Sequence, residues 1–124
     1  MLMKTPSLTF TLLFVDSPAA SAKFYSKLFG QEPVELSPTF AMFLSDSGHR
    51  LGLWSKHTAE PTPTGAPGSS EIAFTTDDVD AVFAEWEGQG VPMMTPPHDL
   101  DFGRTFVATD PDGHRIRVFC PGEA

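Results

Sequence analysis

Residues 101–119 read DFGRTFVATDPDGHRIRVF, and this stretch decides the fold. It has the pattern of two strands joined by a tight turn. Phe106, Val107 and Ala108 lead in; Ile116, Val118 and Phe119 lead out. Between them stands Asp110-Pro111-Asp112-Gly113. Pro111 presets φ for the first central position of a type I turn, and Gly113 supplies the positive φ of the bulge that follows. Successive side chains of a strand point to opposite faces, so Arg117 points away from Ile116 and Val118. If those two face a core, Arg117 and Arg115 face either bulk water or a ligand cavity.

Working back from this hairpin, Phe102-Gly103-Arg104 forms its approach. Gly103 permits an unusual backbone bend. Arg104 either ties the loop to a carboxylate such as Asp101 or reaches a ligand. Residues 93–97 read as irregular chain or a short edge strand. Before them Val79, Val82, Phe83 and Trp86 fall at helical i, i+3, i+4, i+7 spacing, with Asp78 as N-cap and Gly90 closing the helix. Residues 71–75, EIAFT, form the strand that precedes it.

The first half has the same order. Residues 8–15, LTFTLLFV, are a strand. Ser17-Pro18 is an N-cap followed by proline at the first helical position. The helix places Ala20, Phe24 and Leu28 on one stripe, with Tyr25 and Phe29 beside it, and Gly30 ends it. Residues 33–34 and 37–38 read as irregular or edge structure. Residues 40–44 and 51–55 are strands around the turn Asp46-Ser47-Gly48-His49. Residues 59–69, AEPTPTGAPGS, carry no periodicity and read as a linker.

The halves align as an internal repeat. Ser17 falls opposite Asp78, Phe24-Tyr25 opposite Glu85-Trp86, and Phe10 opposite Glu71. Ser47-Gly48-His49-Arg50 falls opposite Asp112-Gly113-His114-Arg115, which sets Gly52 opposite Arg117. The expected organisation is a single domain of two modules, residues 7–58 and 70–121, joined by the 59–69 linker.

Composition narrows the partners. At 124 residues the chain suffices for one compact domain with a real core. A net charge of −8 disfavours nucleic acid and anionic membranes. No apolar run is long enough to span a bilayer, and MLMKTPSLTF lacks the features of a signal peptide. Cys120 is the only cysteine, so neither an internal disulfide nor a cysteine metal site is available. A cytoplasmic location is expected. No glycine-rich phosphate loop or nucleophile elbow is present.

The repeated βαβββ unit, the Phe24-Tyr25 pair late in the first helix, and Asp110-Pro111-Asp112-Gly113-His114 before an alternating strand resemble the vicinal oxygen chelate superfamily. That superfamily includes glyoxalase I, extradiol dioxygenases, and fosfomycin- and bleomycin-resistance proteins. The likeness covers residues 8–121. DFGRTFVATDPDGH, SEIAF and Leu53-Trp54-Ser55 look more narrowly like the phenazine (griseoluteate) resistance binding proteins of this group. The resemblance implies an α+β fold in which two βαβββ modules form a half-open curled sheet with the helices outside. It also implies a homodimer.

The same resemblance assigns the superfamily's metal-ligand positions to Phe10, Gly52, Glu71 and Arg117. Phe10 and Gly52 have no side-chain donor atom, and arginine has no lone pair to give. One carboxylate does not make a site. No metal, other cofactor or catalytic residue is therefore expected, and the four histidines read as solvated or locally bonded imidazoles, although a site shared by His49 and His114 is conceivable. Glu71 and Arg117 are expected to meet. They make either a structural ion pair or a ligand-binding pair in which Arg117 holds a carboxylate or amide.

Trp54 shares its strand face with Gly52, which would leave room for a flat group beside the ring. Phe119 shares the face of Arg117. Phe10 is a further apolar wall, and Phe40, Phe43 and Phe102 are candidate walls or lid. Alternatively, Trp54 packs in a core or a dimer interface. The expected function is metal-free capture of a planar aromatic compound, an antibiotic of phenazine or bleomycin-like type. The alternative is a lyase, isomerase or dioxygenase that uses a metal or Glu71 as base, and a module for interaction or regulation is a further rival.

Overall fold

A computed structural model describes residues 6–122. Residues 1–5, part of the N-terminal segment read above, and 123–124 lie outside the described residues. The described chain forms two compact units, one built on residues up to Pro63, the other on Thr64 onward together with Lys27–Phe29.

The first unit runs β1 (Phe10–Val15), α1 (Pro18–Phe29), β2 (Glu35–Leu36), β3 (Phe40–Leu44) and β4 (Arg50–Ser55). The second runs β5 (Glu71–Thr75), α2 (Val79–Gly88), β6 (Met93–Leu100), β7 (Gly103–Thr109) and β8 (Arg115–Pro121). Each is therefore a βαβββ unit with one four-stranded mixed sheet, of order β1-β4-β3-β2 or β5-β8-β7-β6. In each, the last strand returns beside the first and runs parallel to it. The fold is α+β, with two modules of the same topology.

Local chemistry places the elements. The Ser17 hydroxyl accepts the amide of Ala20 at 3.2 Å, and the Asp78 carboxylate accepts that of Ala81 at 3.1 Å. Both closing turns have one geometry. Gly48 N donates to Ser45 O and Ser45 N to His49 O, each at 2.9 Å. Gly113 N donates to Asp110 O and Asp110 N to His114 O, each at 3.0 Å. Gly48 and Gly113 sit at φ 90° and 93°, as the bulge requires. Asp110, buried, also takes the amides of Asp112 and His114 on Oδ1, at 2.9 and 2.8 Å.

Three details differ from expectation. The buried stripe of α1 is Pro18, Ser21, Ala22 and Tyr25, whereas Ala20 is exposed and Phe24 and Leu28 are half-buried. The spacing i, i+3, i+4, i+7 holds, but it starts at the N1 proline, and a buried serine hides it from a search for apolar residues. Residues 93–97 do belong to an edge strand, β6, but it is eight residues long, and register shifts against β7 accommodate its prolines. Arg104 pairs with Asp80 (Nε–Oδ2 2.8 Å, Nη2–Oδ1 3.0 Å) and Asp99 (3.1 Å) rather than with Asp101. Asp99 stands directly across from Arg104 in the ladder, and Asp80 comes from the first turn of α2.

The cores follow strand alternation except in β7, where Thr105 and Val107 on the opposite side are buried as well. In the first unit Leu13, Val15, Ala41, Phe43, Leu51 and Leu53 are buried. In the second, Phe106, Ala108, Ile116 and Val118 are buried, and α2 closes over them by edge contacts of Phe83 and Trp86 on Phe106 (centroids 5.3 and 5.6 Å apart).

Gly103 cannot carry a side chain. Its φ is 139°, and a Cβ there would lie 2.0 Å from the Cys120 carbonyl oxygen. Gly103→Ala should therefore lower stability in urea by about 3 kcal/mol or more. Gly30→Ala, at φ 64° with nothing within 4 Å, should cost only about 1 kcal/mol for the left-handed backbone. Equal midpoints for the two variants would refute the steric argument.

Candidate functional site

The face of each sheet opposite its buried set carries the candidate residues, and register arranges them in rows. In the first unit β1, β4 and β3 align Phe10–Arg50–Leu44, then Leu12–Gly52–Met42, then Phe14–Trp54–Phe40. In the second, β5, β8 and β7 align Glu71–Arg115–Thr109, then Ala73–Arg117–Val107, then Thr75–Phe119–Thr105. The repeat therefore holds residue by residue across three strands: Phe10 corresponds to Glu71, Gly52 to Arg117, Trp54 to Phe119, and Phe40 to Thr105.

Across these three strands the first face is apolar apart from Arg50, and at its edge Glu35 of β2, in register with Met42, adds an exposed acid. Trp54 is flanked in register by Phe14 and Phe40, and its ring lies 6.0 Å from that of Phe14 at 35°. Phe10 and Leu12 remain 36% and 43% exposed, which is unusual for large apolar side chains on a sheet face. Gly52 does not leave an open slot beside Trp54. A Cβ there would meet Leu12 Cδ2 at 2.7 Å, Phe10 Cε1 at 2.8 Å and Phe40 Cε1 at 3.0 Å. Three side-chain ends have closed over the glycine, so a flat group would meet Phe10 and Phe40 rather than the bare strand. Phe43 does not join this face. It is 2% exposed, one residue out of phase with Phe40 and Met42, and across from Leu51 in the core.

The second face is polar and tightly bonded. Arg117 donates from Nε to Glu71 Oε1 at 2.6 Å and from Nη2 to Oε2 at 3.1 Å, a bidentate pair. Its Nη1 donates to Thr105 Oγ1 at 3.1 Å, and that hydroxyl donates to Val118 O at 2.9 Å. Arg115 Nη2 approaches Glu71 Oε2 at 2.6 Å. Phe102 lies under the Arg117 guanidinium, 5.8 Å from ring centroid to Cζ, and edge-on to Phe119 at 5.7 Å. The hydrogen bond from Arg117, with the charges of Arg117 and Arg115, holds the Glu71 carboxyl below the usual range against a smaller opposing effect of burial. A carboxylate so held is a weak base.

These positions do not fit a divalent metal. Phe10 and Gly52 offer no donor, Arg117 is a cation, and both oxygens of Glu71 are engaged by arginines. Among the described residues no group of three or more His, Cys, Asp or Glu side chains is placed to hold an ion. Three histidines have local partners: His49 Nε2 with Thr11 Oγ1 (2.7 Å), His57 Nε2 with Asp16 (2.7 Å), and His98 Nδ1, which donates to Pro96 O (2.8 Å). His114, too, makes an interaction.

Two modules of one topology, with rows of this kind on their strands, define a class. The chain belongs to the glyoxalase/bleomycin resistance protein/dioxygenase superfamily, whose sequence profile matches residues 7–118. Within it, the chain is 37% identical over 123 residues to the phenazine antibiotic resistance protein EhpR of Enterobacter agglomerans, covering 94% of this chain and 92% of that protein. It is 32% identical to the anthracycline biosynthesis protein DnrV of Streptomyces peucetius, with 84% of this chain matching 43% of DnrV, less than half its length. The solution structure of protein ATC0852 from Agrobacterium tumefaciens superposes with a TM-score of 0.86 at 45% identity, over 96% of this chain and all (100%) of that one.

Of the residues singled out from the sequence, Trp54, Phe10 and Phe40 share one face of the first sheet, Glu71, Arg117 and Phe119 share one face of the second, and Phe102 packs against Phe119 and Arg117. Sequence reasoning missed Phe14, Arg50 and Thr105. The repeat sets Arg50 opposite Arg115, and extended to the preceding strand it sets Thr105 opposite Phe40.

Because the Glu71 pKa is depressed in the folded protein, the stability it contributes is present above the unfolded value and is lost as pH falls through the folded one. Wild type should therefore lose urea stability as pH drops below about 4.5. Glu71→Gln should be less stable at neutral pH and show a flatter acid limb. Parallel acid limbs for the two proteins would place the sensitivity elsewhere.

Proposed function

We propose that this protein captures a planar aromatic compound of the phenazine class by stacking on the exposed aromatic face of its first sheet, without a metal and without breaking a bond. The observation that carries the reading is the row Phe14–Trp54–Phe40 with part-exposed Phe10 and Leu12 beside it. An amphipathic ring flanked by two phenylalanines suits a flat, partly polar ligand. The 37% identity to a phenazine antibiotic resistance protein supports the same class. Function in this reading is reversible sequestration of an antibiotic.

On the second sheet, Arg117 and Glu71 with Phe102 and Phe119 offer polar and aromatic contacts. A ligand carboxylate would have to compete with Glu71 for Arg117, because the acid already uses two of its donors. That makes Arg117 a secondary contact and Trp54 the anchor. A chemical role for Glu71 as base is disfavoured by its lowered pKa. The reading includes a cytoplasmic homodimer; among the described residues no helix is long and apolar enough to cross a membrane.

The test is tryptophan fluorescence of chelator-treated protein titrated with phenazine-1-carboxylate. Saturable quenching is expected, unchanged by added divalent metal, and lost in a folded Trp54→Ala variant. Trp86, 7% exposed and packed on Phe106, should supply the residual unquenched signal. Quenching that needs metal would favour an enzyme, and an unfolded Trp54→Ala would make Trp54 a core residue.

A further inference from the structure

Arg50 and Arg115 occupy one place in two copies of the same sheet. Each opens the last strand of its unit and lies in register beside the first residue of the neighbouring parallel strand. In the second unit that neighbour is Glu71, which holds Arg115 at 2.6 Å. In the first unit the neighbour is Phe10, and the residue across on β3 is Leu44. The arginine is present, but the acid that would neutralise it is not. Arg50 is part-exposed, and among the described residues its guanidinium makes no ion pair or hydrogen bond. Arg117, by contrast, has Nε and both terminal nitrogens engaged.

We infer that Arg50 is the anion-recognising end of the ligand face, so that the face takes a planar aromatic bearing a carboxylate at one end. The inference rests on the stacking role proposed for Trp54 and adds the charge of the ligand to it. Three features carry it. An arginine beside two apolar neighbours retains all its donors for a planar carboxylate, which it can meet in bidentate geometry. Arg50 and Trp54 lie four residues apart on one extended strand and on one face, about 13 Å between Cα atoms, a separation that three fused rings and an arginine side chain together can span. Fused rings resting on Trp54 and Phe10 would then bring an edge carboxylate within reach. Finally, the chain carries a net charge of −8, and the acid on this face, Glu35, stands at its far edge across from Met42 and makes no ion pair with Arg50, so the unpaired cation is the local feature that would attract an anion there.

The experiment compares phenazine-1-carboxylate with phenazine-1-carboxamide at neutral pH by tryptophan quenching, on wild type, Arg50→Gln and Arg50→Lys. Wild type should bind the carboxylate about fivefold more tightly than the carboxamide, as a part-exposed ion pair allows. Added NaCl should narrow that ratio. Arg50→Gln should bring the ratio to about one by weakening the carboxylate alone, and Arg50→Lys should keep part of the preference. Because the ratio is taken on one protein sample, a change in folded fraction does not alter it. A wild-type ratio near one, or an Arg50→Gln variant that keeps the preference, overturns the role of Arg50. Binding of the carboxamide in those cases leaves the stacking face standing. Quenching by neither compound overturns both.

Discussion

Parallel pairing of β4 with β1, and of β8 with β5, sets Arg50 beside Phe10 and Arg115 beside Glu71, and the rest of both faces follows from those registers. A strand has a side-chain period of two. Once Ile116 and Val118 are committed to the core, Arg115, Arg117 and Phe119 must share the other side. The same logic commits Leu51 and Leu53 inward and sends Arg50, Gly52 and Trp54 outward. A slip of one residue would bury two arginines and expose the aliphatic core, so the cost of the alternative is large. The glycine-bulge turns at Gly48 and Gly113 hold the register by fixing where each hairpin reverses.

Two copies of one framework thus present opposite chemistries. Position by position, Glu71 is replaced by Phe10, Arg117 by Gly52 and Thr105 by Phe40. In the second unit a bidentate ion pair, a buried threonine hydroxyl and a carbonyl satisfy one another. In the first, removal of the arginine side chain at Gly52 lets Phe10, Leu12 and Phe40 close over the backbone. The polar face is self-contained and offers little to a ligand without displacing an internal partner. The apolar face has surface to cover, and in Arg50 a charge to neutralise. The two modules thus differ in surface chemistry despite their common topology.

The repeat was legible because it depends on local signals: an N-cap before each helix, an aromatic near each helix end, and a Gly-His-Arg after each turn. Parity alone places Trp54 with Gly52 and Phe119 with Arg117. Sequence reasoning is less successful where two elements have to be related. Phe43 and Phe40 are both aromatic candidates by type, but their odd offset puts them on opposite faces. Sequence proximity points Arg104 to a carboxylate such as Asp101, whereas the acids it meets are Asp99 across the ladder and Asp80 from α2. The serine in the buried stripe of α1 hid the true helix face from an apolar count.

The sequence by itself determined the βαβββ repeat, the strand phases, the turn geometry and the lack of a lone pair for a metal at Phe10, Gly52 and Arg117. These properties are set by residue type and by neighbours within a few positions. Only the tertiary structure decided which side chains complete one another. That Glu71 takes two arginines while Arg50 has none, that Gly52 is roofed by three side-chain ends, and that Phe14 completes the row of Trp54 are consequences of strands brought together across some forty residues. Such pairings depend on register between distant segments, and no local pattern encodes the atoms that meet there.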